Sequence, residues 1–288
     1  MSSTSISIAN TYAGRCVLLA GGSGFLGKMW FAMALEMLAD IGRIYVLIRP
    51  GARISSRKRF ENLLNTSPVF SRLHQRFGPR LSRYVSERVE VLEGDLAEYN
   101  FGLSSEVASR LQGELDLIVN CAGQVDFNPD IRKALASNVD TTLQLISFVK
   151  RCDHASLLHV STCFVAGNRQ GRIDEVLESN PVPVREGFDP DLELADAQVA
   201  IKEICDAQTS AEIQRELKAE IDKLLERRAN NGNGDRNRFA KSYSRRWLRE
   251  RLRNELIDEG KRRAIRWGWQ NTYTYSKGIA ESLLFSRA

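Results

Sequence analysis

Residues 15–38 constrain this chain more than any other stretch: the apolar run RCVLLA, the turn GGSGFLG, then KMWFAMALEML with apolar residues at helical spacing. A short apolar run closed by glycine fits a strand buried on both faces of a parallel sheet. Gly21, Gly24 and Gly27 give the spacing G-x-x-G-x-x-G. Missing side chains there let the backbone turn tightly, let a pyrophosphate approach the helix N-terminus, and let helix and strand pack closely. The alternative is a glycine-rich turn with no ligand, but the motif stands between strand and helix, where the nucleotide mechanism needs it.

The alternation continues. IYVLIRP from Ile44 reads as a second strand, and VEVLEGDL from Val89 as a third that ends at Asp95, placed to touch an adenine edge. LDLIVNCAG from Leu115 is a fourth, with Asn120, Cys121, Ala122 and Gly123 at the carboxyl end, where open α/β sheets bind ligands. The helical stretch ALASNVDTTLQLISFVKRC leads to a fifth, LLHVST, ending at Ser161 and Thr162. Strands alternating with helices predict an α/β, doubly wound parallel sheet. At the end of the second strand a NAD site places an acid for the ribose hydroxyls. This chain has Arg49 there, 22 positions after Gly27, with Arg53 and Arg57 nearby. A guanidinium pairs with a 2′-phosphate, so the expected cofactor is NADPH; a solvated strand-end charge is the alternative.

Near the other end, NTYTYSKGIAE places Tyr273 and Lys277 four residues apart, on one face of a helix. An ammonium beside a phenol favours the phenolate and makes a better proton shuttle. The same spacing also arises in plain amphipathic helices. No apolar run approaches the roughly 20 residues that cross a bilayer, and MSSTSISIANTY lacks a basic start and an apolar core, so a cytoplasmic protein is expected. The five cysteines form no Cys-x-x-Cys and the three histidines no ligand spacing, which points to reduced thiols and no metal.

With these pieces on the page, the chain resembles the extended short-chain dehydrogenase/reductase superfamily. Within it, the fatty acyl-CoA reductase type, the male sterility NAD(P)-binding group, is the nearest match, and thioester-reductase domains are also similar. The segments that carry the resemblance are GGSGFLGK, YVLIRP, EGDL, VNCAGQVDFN, SNVDTTLQL, LLHVSTCFVAGN and NTYTYSKGIAE. Ala20 departs from the threonine usual before the first glycine. The resemblance implies a Rossmann-type domain over 1–288, with residues about 188–268 a mostly helical insertion before the Tyr-x-x-x-Lys helix. It implies a catalytic Thr162-Tyr273-Lys277 set, with Ser161 the rival hydroxyl because neighbours on a strand face opposite ways. Asn138 would help hold a water relay near the lysine. The implied cofactor-binding residues are Gly21, Ser23, Gly24, Phe25, Leu26, Gly27, Arg49, Arg53, Asp95, Leu96, Cys121, Ala122 and Gly123, with Tyr273 and Lys277. The activity implied is NADPH-dependent reduction of an acyl-CoA or acyl-carrier-protein thioester to an aldehyde, which a second hydride could carry to the alcohol. In this superfamily a further strand and a substrate domain follow the Tyr-Lys helix, and the chain stops at ESLLFSRA, so that domain is expected to be absent here.

About a hundred residues separate the fifth strand from the Tyr-Lys helix. From Glu193 they read as one or two amphipathic helices, broken by NNGNGDRN from Asn230, then a basic helix from about Ser242 to Trp267. Between Arg236 and Arg266 twelve Lys and Arg face four acids, a local +8, which leaves −3 for everything else in a chain of net +5. That segment suits CoA phosphates, an acidic carrier protein, an anionic membrane surface, or water as a solvated arm; no nucleic-acid motif accompanies it. Two other functions share parts of the pattern. A sugar-nucleotide epimerase or dehydratase has the same glycine turn and Tyr-x-x-x-Lys, and a non-catalytic NADP-binding module would need only the first half.

Overall fold

The computed structural model describes residues 7–174, 187–229 and 236–287. Two compact units result, one formed by 1–124, 136–161 and the last two residues, the other by 125–135 and 162–286.

The first unit is built on five parallel strands, β1 (Cys16–Ala20), β2 (Arg43–Ile48), β3 (Val89–Glu93), β4 (Leu117–Asn120) and β5 (Ser156–His159), in the order β3-β2-β1-β4-β5. Its helices in chain order are α1 (Ile8–Tyr12), α2 (Phe25–Met37), α3 (Ser56–Thr66), α4 (Ser71–Phe77), α5 (Leu81–Arg88) and α6 (Ser105–Glu114). After α7 (Ile131–Leu135), which belongs to the second unit, come a π-turn at Ala136–Asp140 and α8 (Thr141–Val149). Successive strand residues serve opposite faces. Val17, Leu19, Ile44 and Val46 pack with Phe31 and Leu35 of α2, Phe60 of α3 and Val85 of α5. Leu18, Ala20, Tyr45, Leu47 and Ile118 pack with Leu111 of α6 and Leu145 and Phe148 of α8. Both faces being covered explains why the strands read as continuous apolar runs. Each Val, Leu, Ile or Phe among them contributes about 1.5–3 kcal/mol on burial. The expected doubly wound parallel sheet is what forms, with β1 and β4 adjacent and paired from Val17↔Leu117 to Ala20↔Asn120.

Several boundaries differ from expectation: β3 ends at Glu93 instead of Asp95, β4 begins at Leu117 instead of Leu115, and the fifth strand is shorter. β5 ends at His159, not at Thr162. Val160 N donates to Asn120 O (3.0 Å), and β4 itself ends at Asn120, so Ser161 and Thr162 have no neighbouring strand to extend along. Alternation along a strand therefore does not choose between these two hydroxyls.

The second unit holds α7, α9 (Pro190–Ala207), α10 (Ala211–Ala229), α11 (Arg236–Trp267) and α12 (Thr272–Arg287). The insertion after Glu193 is thus two helices, interrupted at 208–210, and the basic helix begins at Arg236. The expected break at NNGNGDRN falls largely on 230–235, outside the described residues. α9 starts cleanly because Asp189 accepts from Asp191 N and Leu192 N (both 2.9 Å) and Pro190 fills the first turn. Asn271 does the same for α12, its Oδ1 accepting from Thr274 N at 2.9 Å.

Candidate active site

In the first unit the glycine turn sits at the carboxyl ends of β1 and β4. Gly21 has φ +80°, and a methyl there would lie 2.4 Å from Ala122 N and 2.6 Å from the Cys121 carbonyl carbon. Gly24 begins α2 with no side-chain cap, which leaves the helix's first N–H groups without a side-chain acceptor. Ser23, Phe25 and Leu26 are exposed around that end, while Gly27 is buried with its Cα facing Gly21 O, where a methyl would come within 2.3 Å. The cradle fits a pyrophosphate: backbone donors, a helix dipole, and no side chain in the way. On β4 the buried Asn120 holds the loop beyond it, Oδ1 accepting from Ala122 N at 3.0 Å. Asn138, in the π-turn and 1% exposed, clasps the same loop: its Oδ1 accepts from Gln124 N (2.9 Å) and its Nδ2 donates to Gln124 O (3.3 Å). It is not an ordinary polar helix position; π-turns of this kind recur at functional sites.

Beyond β2 and β3 lies a cleft of about 640 Å³ lined by Arg49, Arg59, Glu93, Gly94, Asp95 and Glu98, among others. Arg49 and Asp95 are brought together, 3.9 Å apart, the arginine largely exposed and the aspartate partly buried. Arg53 is exposed and does not line the cleft, whereas Arg59 of α3 does, its guanidinium donating to the Arg49 carbonyl. Sequence reading missed Arg59 because it lies inside a helix, ten residues after Arg49. Its one signal was the Ser55 cap, which aims the first turns of α3 at this strand end. Leu96 is 7% exposed and packs in the core, so only its backbone is offered to a ligand. The cleft carries both signs of charge, and its acids, Glu93, Asp95 and Glu98, belong to β3 and the segment after it instead of β2.

The second unit holds Thr162, Tyr273 and Lys277. Thr162 opens a short turn at Cys163–Ala166, its Oγ1 accepting from Phe164 N at 3.3 Å. Ser161, in the first unit, has a buried Oγ without a hydrogen-bond partner among the described residues. Tyr273 is half-buried and Lys277 4% exposed, one turn apart on α12. Tyr273 N donates to Phe127 O (3.1 Å), and the two rings lie 6.4 Å apart, with Phe127 67% exposed. Trp269 ties the Thr162 turn to α12: its Nε1 donates to Val165 O (3.0 Å), and its ring rests where a methyl on Gly278 would come within 2.3 Å. Val165, in the turn that Thr162 opens, and Gly278, on the helix of Tyr273 and Lys277, therefore meet on one buried indole.

Behind them runs a buried charge network that the sequence did not suggest. The Tyr275 hydroxyl donates to Glu193 Oε1 (2.7 Å), Arg263 Nη1 donates to the same oxygen (2.7 Å), and Arg263 Nε donates to Glu259 Oε1 (2.6 Å). Burial, then the charge and hydrogen bond of Glu193, push the Tyr275 phenol well above its usual value, so it stays neutral. Burial raises Glu259, but hydrogen bonds and charge from Arg262 and Arg263 outweigh it and leave that carboxyl below its usual range. On α11, Lys241, Arg245, Arg249 and Arg253 form an exposed ridge at four-residue spacing. Among the described residues no helix is long and apolar enough to cross a membrane, and no cluster of ligating side chains fits a metal.

Comparison with known proteins gives a family model described as male sterility protein, matched over residues 19–288. The chain is 26% identical over 98% of its length to fatty acyl-CoA reductase 2, chloroplastic, of Arabidopsis thaliana, covering 40% of that protein. It is 31% identical over 64% of its length to fatty acyl-CoA reductase 1 of Gallus gallus, covering 35% of it. Among solved structures, the terminal R domain of the myxalamid PKS-NRPS pathway aligns with TM-score 0.47 and 26% identity, over 60% of this chain and 42% of that one. The chain spans less than half the length of these curated relatives.

Proposed function

This chain belongs to the male sterility protein family, and we propose that it forms the NADPH-binding, reductive part of a fatty acyl thioester reductase. Two observations support the reading, each within its own unit: Trp269 joins the turn that Thr162 opens to the helix of Tyr273 and Lys277, and the first unit has a glycine cradle suited to a pyrophosphate. Relatives named fatty acyl-CoA reductases supply the substrate class: an acyl-CoA, or an acyl chain on a carrier protein.

When bound, the nicotinamide supplies a hydride. Tyr273 and Thr162 donate hydrogen bonds to the thioester oxygen as it gains charge, and Tyr273 gives up its proton there. Lys277 provides a fixed positive charge one helical turn away, for the nicotinamide ribose and for the tyrosine oxygen. The resulting hemithioacetal expels thiol and leaves an aldehyde, which a second reduction takes to the alcohol. The basic ridge of α11 supports an anionic contact, such as CoA phosphates, the acidic face of a carrier protein, or anionic lipid.

The test is oxidation of NADPH, followed at 340 nm, that depends on added long-chain acyl-CoA and releases free thiol. Tyr273→Phe should lower that rate by about 10²–10⁴ while leaving the melting temperature in place. A variant that oxidises NADPH at the parental rate, or turnover of a UDP-sugar without net oxidation, would sink the reading.

NADPH preference is a separate expectation. Arg49 lines the strand-end cleft, and its charge-assisted contact with a 2′-phosphate is worth about 1.5–3 kcal/mol. Arg49→Asp should therefore weaken NADPH binding about 10- to 100-fold and leave NADH binding nearly unchanged. Equal loss for both nucleotides would remove Arg49 from the 2′-phosphate.

A further inference from the structure

We infer that Glu193 and Arg263, reaching from the helical insertion to the Tyr275 hydroxyl, are positioning residues that fix the rotation of α12 and so the direction of Tyr273 and Lys277. The inference rests on the proposed roles of those two residues. Successive helix positions are separated by about 100°, so Lys277 lies about 40° from Tyr273, while Tyr275 lies about 200° from it, on the opposite side of the helix. A bond made behind the helix thus sets what its front presents.

The apolar packing of α12 does not set that angle unaided. Residues 274–280 are buried all round the helix and include the small side chains Thr274, Ser276 and Ala280, and the contact of the Trp269 ring with Gly278 restricts rotation at one point only. Tyr275 supplies direction. Its ring stands edge-on to Trp269 at 5.8 Å, and its hydroxyl meets a carboxylate that cannot swing away. Glu193 is held by Arg263, and Arg263 is held in turn by Glu259 and by the Asp196 carbonyl (2.9 Å from Nη2). Tyr275, Glu193 and Arg263 are 0%, 2% and 4% exposed. Burying such charges is costly, and an apolar trio of similar volume commonly packs as stably. Holding the helix down is therefore not a sufficient reason for this network; directional bonds at 2.6–2.9 Å are what it adds.

The experiment uses the whole chain with NADPH and a long-chain acyl-CoA. Three proteins are compared with the parent: Tyr275→Phe, the triple variant Glu193→Leu/Arg263→Met/Tyr275→Phe, and Tyr273→Phe as the marker of the chemistry. Tyr275→Phe should lose about 10- to 100-fold in kcat with KM for NADPH within about twofold. The triple variant should melt at or above the parental temperature and still show the lowered kcat, which separates position from stability. Parental kcat in either network variant, beside an inactive Tyr273→Phe, overturns this inference alone. A parent without acyl-dependent NADPH oxidation, or an active Tyr273→Phe, overturns the functional reading and this inference with it.

Discussion

Gly21→Ala is expected to destabilise the first unit by about 4 kcal/mol or more and to abolish nucleotide binding. Two costs combine. The φ of +80° is unfavourable for any residue with a Cβ, and the new methyl would sit 2.4–2.6 Å from the backbone of Cys121 and Ala122. Those atoms cannot retreat cheaply, because Ala20 pairs with Asn120 and Cys121 N donates to Ala20 O at 2.9 Å. Gly14→Ala is the control: φ is +71° but nothing lies within 4 Å, so it bears the conformational cost only, about 1 kcal/mol. Urea midpoints of the two variants measure the difference, and NADPH fluorescence measures the binding. If both lose the same stability, the crowding between β1 and β4 has been misjudged.

Arg263→Met should cost about 3–5 kcal/mol, the usual penalty for removing one partner of a buried ion pair. Two carboxylates remain. Glu259 keeps Arg262, which donates to it at 2.6 Å, but Glu193 is left 2% exposed with only the Tyr275 hydroxyl to face it. Neutralising that orphan should restore stability, so Arg263→Met/Glu193→Leu/Tyr275→Phe is expected near the parental midpoint despite carrying two more substitutions. Chemical denaturation of the single and triple variants decides the matter. A mild single variant, or a triple variant as unstable as the single one, would show that the network contributes little by charge.

Reading the sequence worked wherever local pattern and tertiary role coincide. β1 to β4 were legible because parallel strands covered on both faces must be apolar throughout. The glycine turn was legible because only glycine tolerates the closeness of β1 to the exit of β4. Tyr273 and Lys277 were legible because a helix brings i and i+4 together whatever surrounds it. Where β5 stops was not legible: Ser161 and Thr162 look like strand residues, and only the end of β4 at Asn120 denies them a partner. Arg59 was hidden in an amphipathic helix; Asn138 was named only through the family resemblance, because its helical stretch gives no local sign of the π-turn that holds it.

By itself, then, the sequence determined the alternation of strands and helices, the glycine turn after the first strand and the phenol-ammonium pair, because each is written in contacts a few residues apart. Only the tertiary structure decided what the insertion's buried charges meet. Glu193, Arg263 and Tyr275 are separated by 70 to 82 positions from Glu193 onward and read singly as surface charge and a helix tyrosine. They became a buried network because α9, α11 and α12 pack together, and no local spacing encodes which distant carboxylate a buried guanidinium will meet.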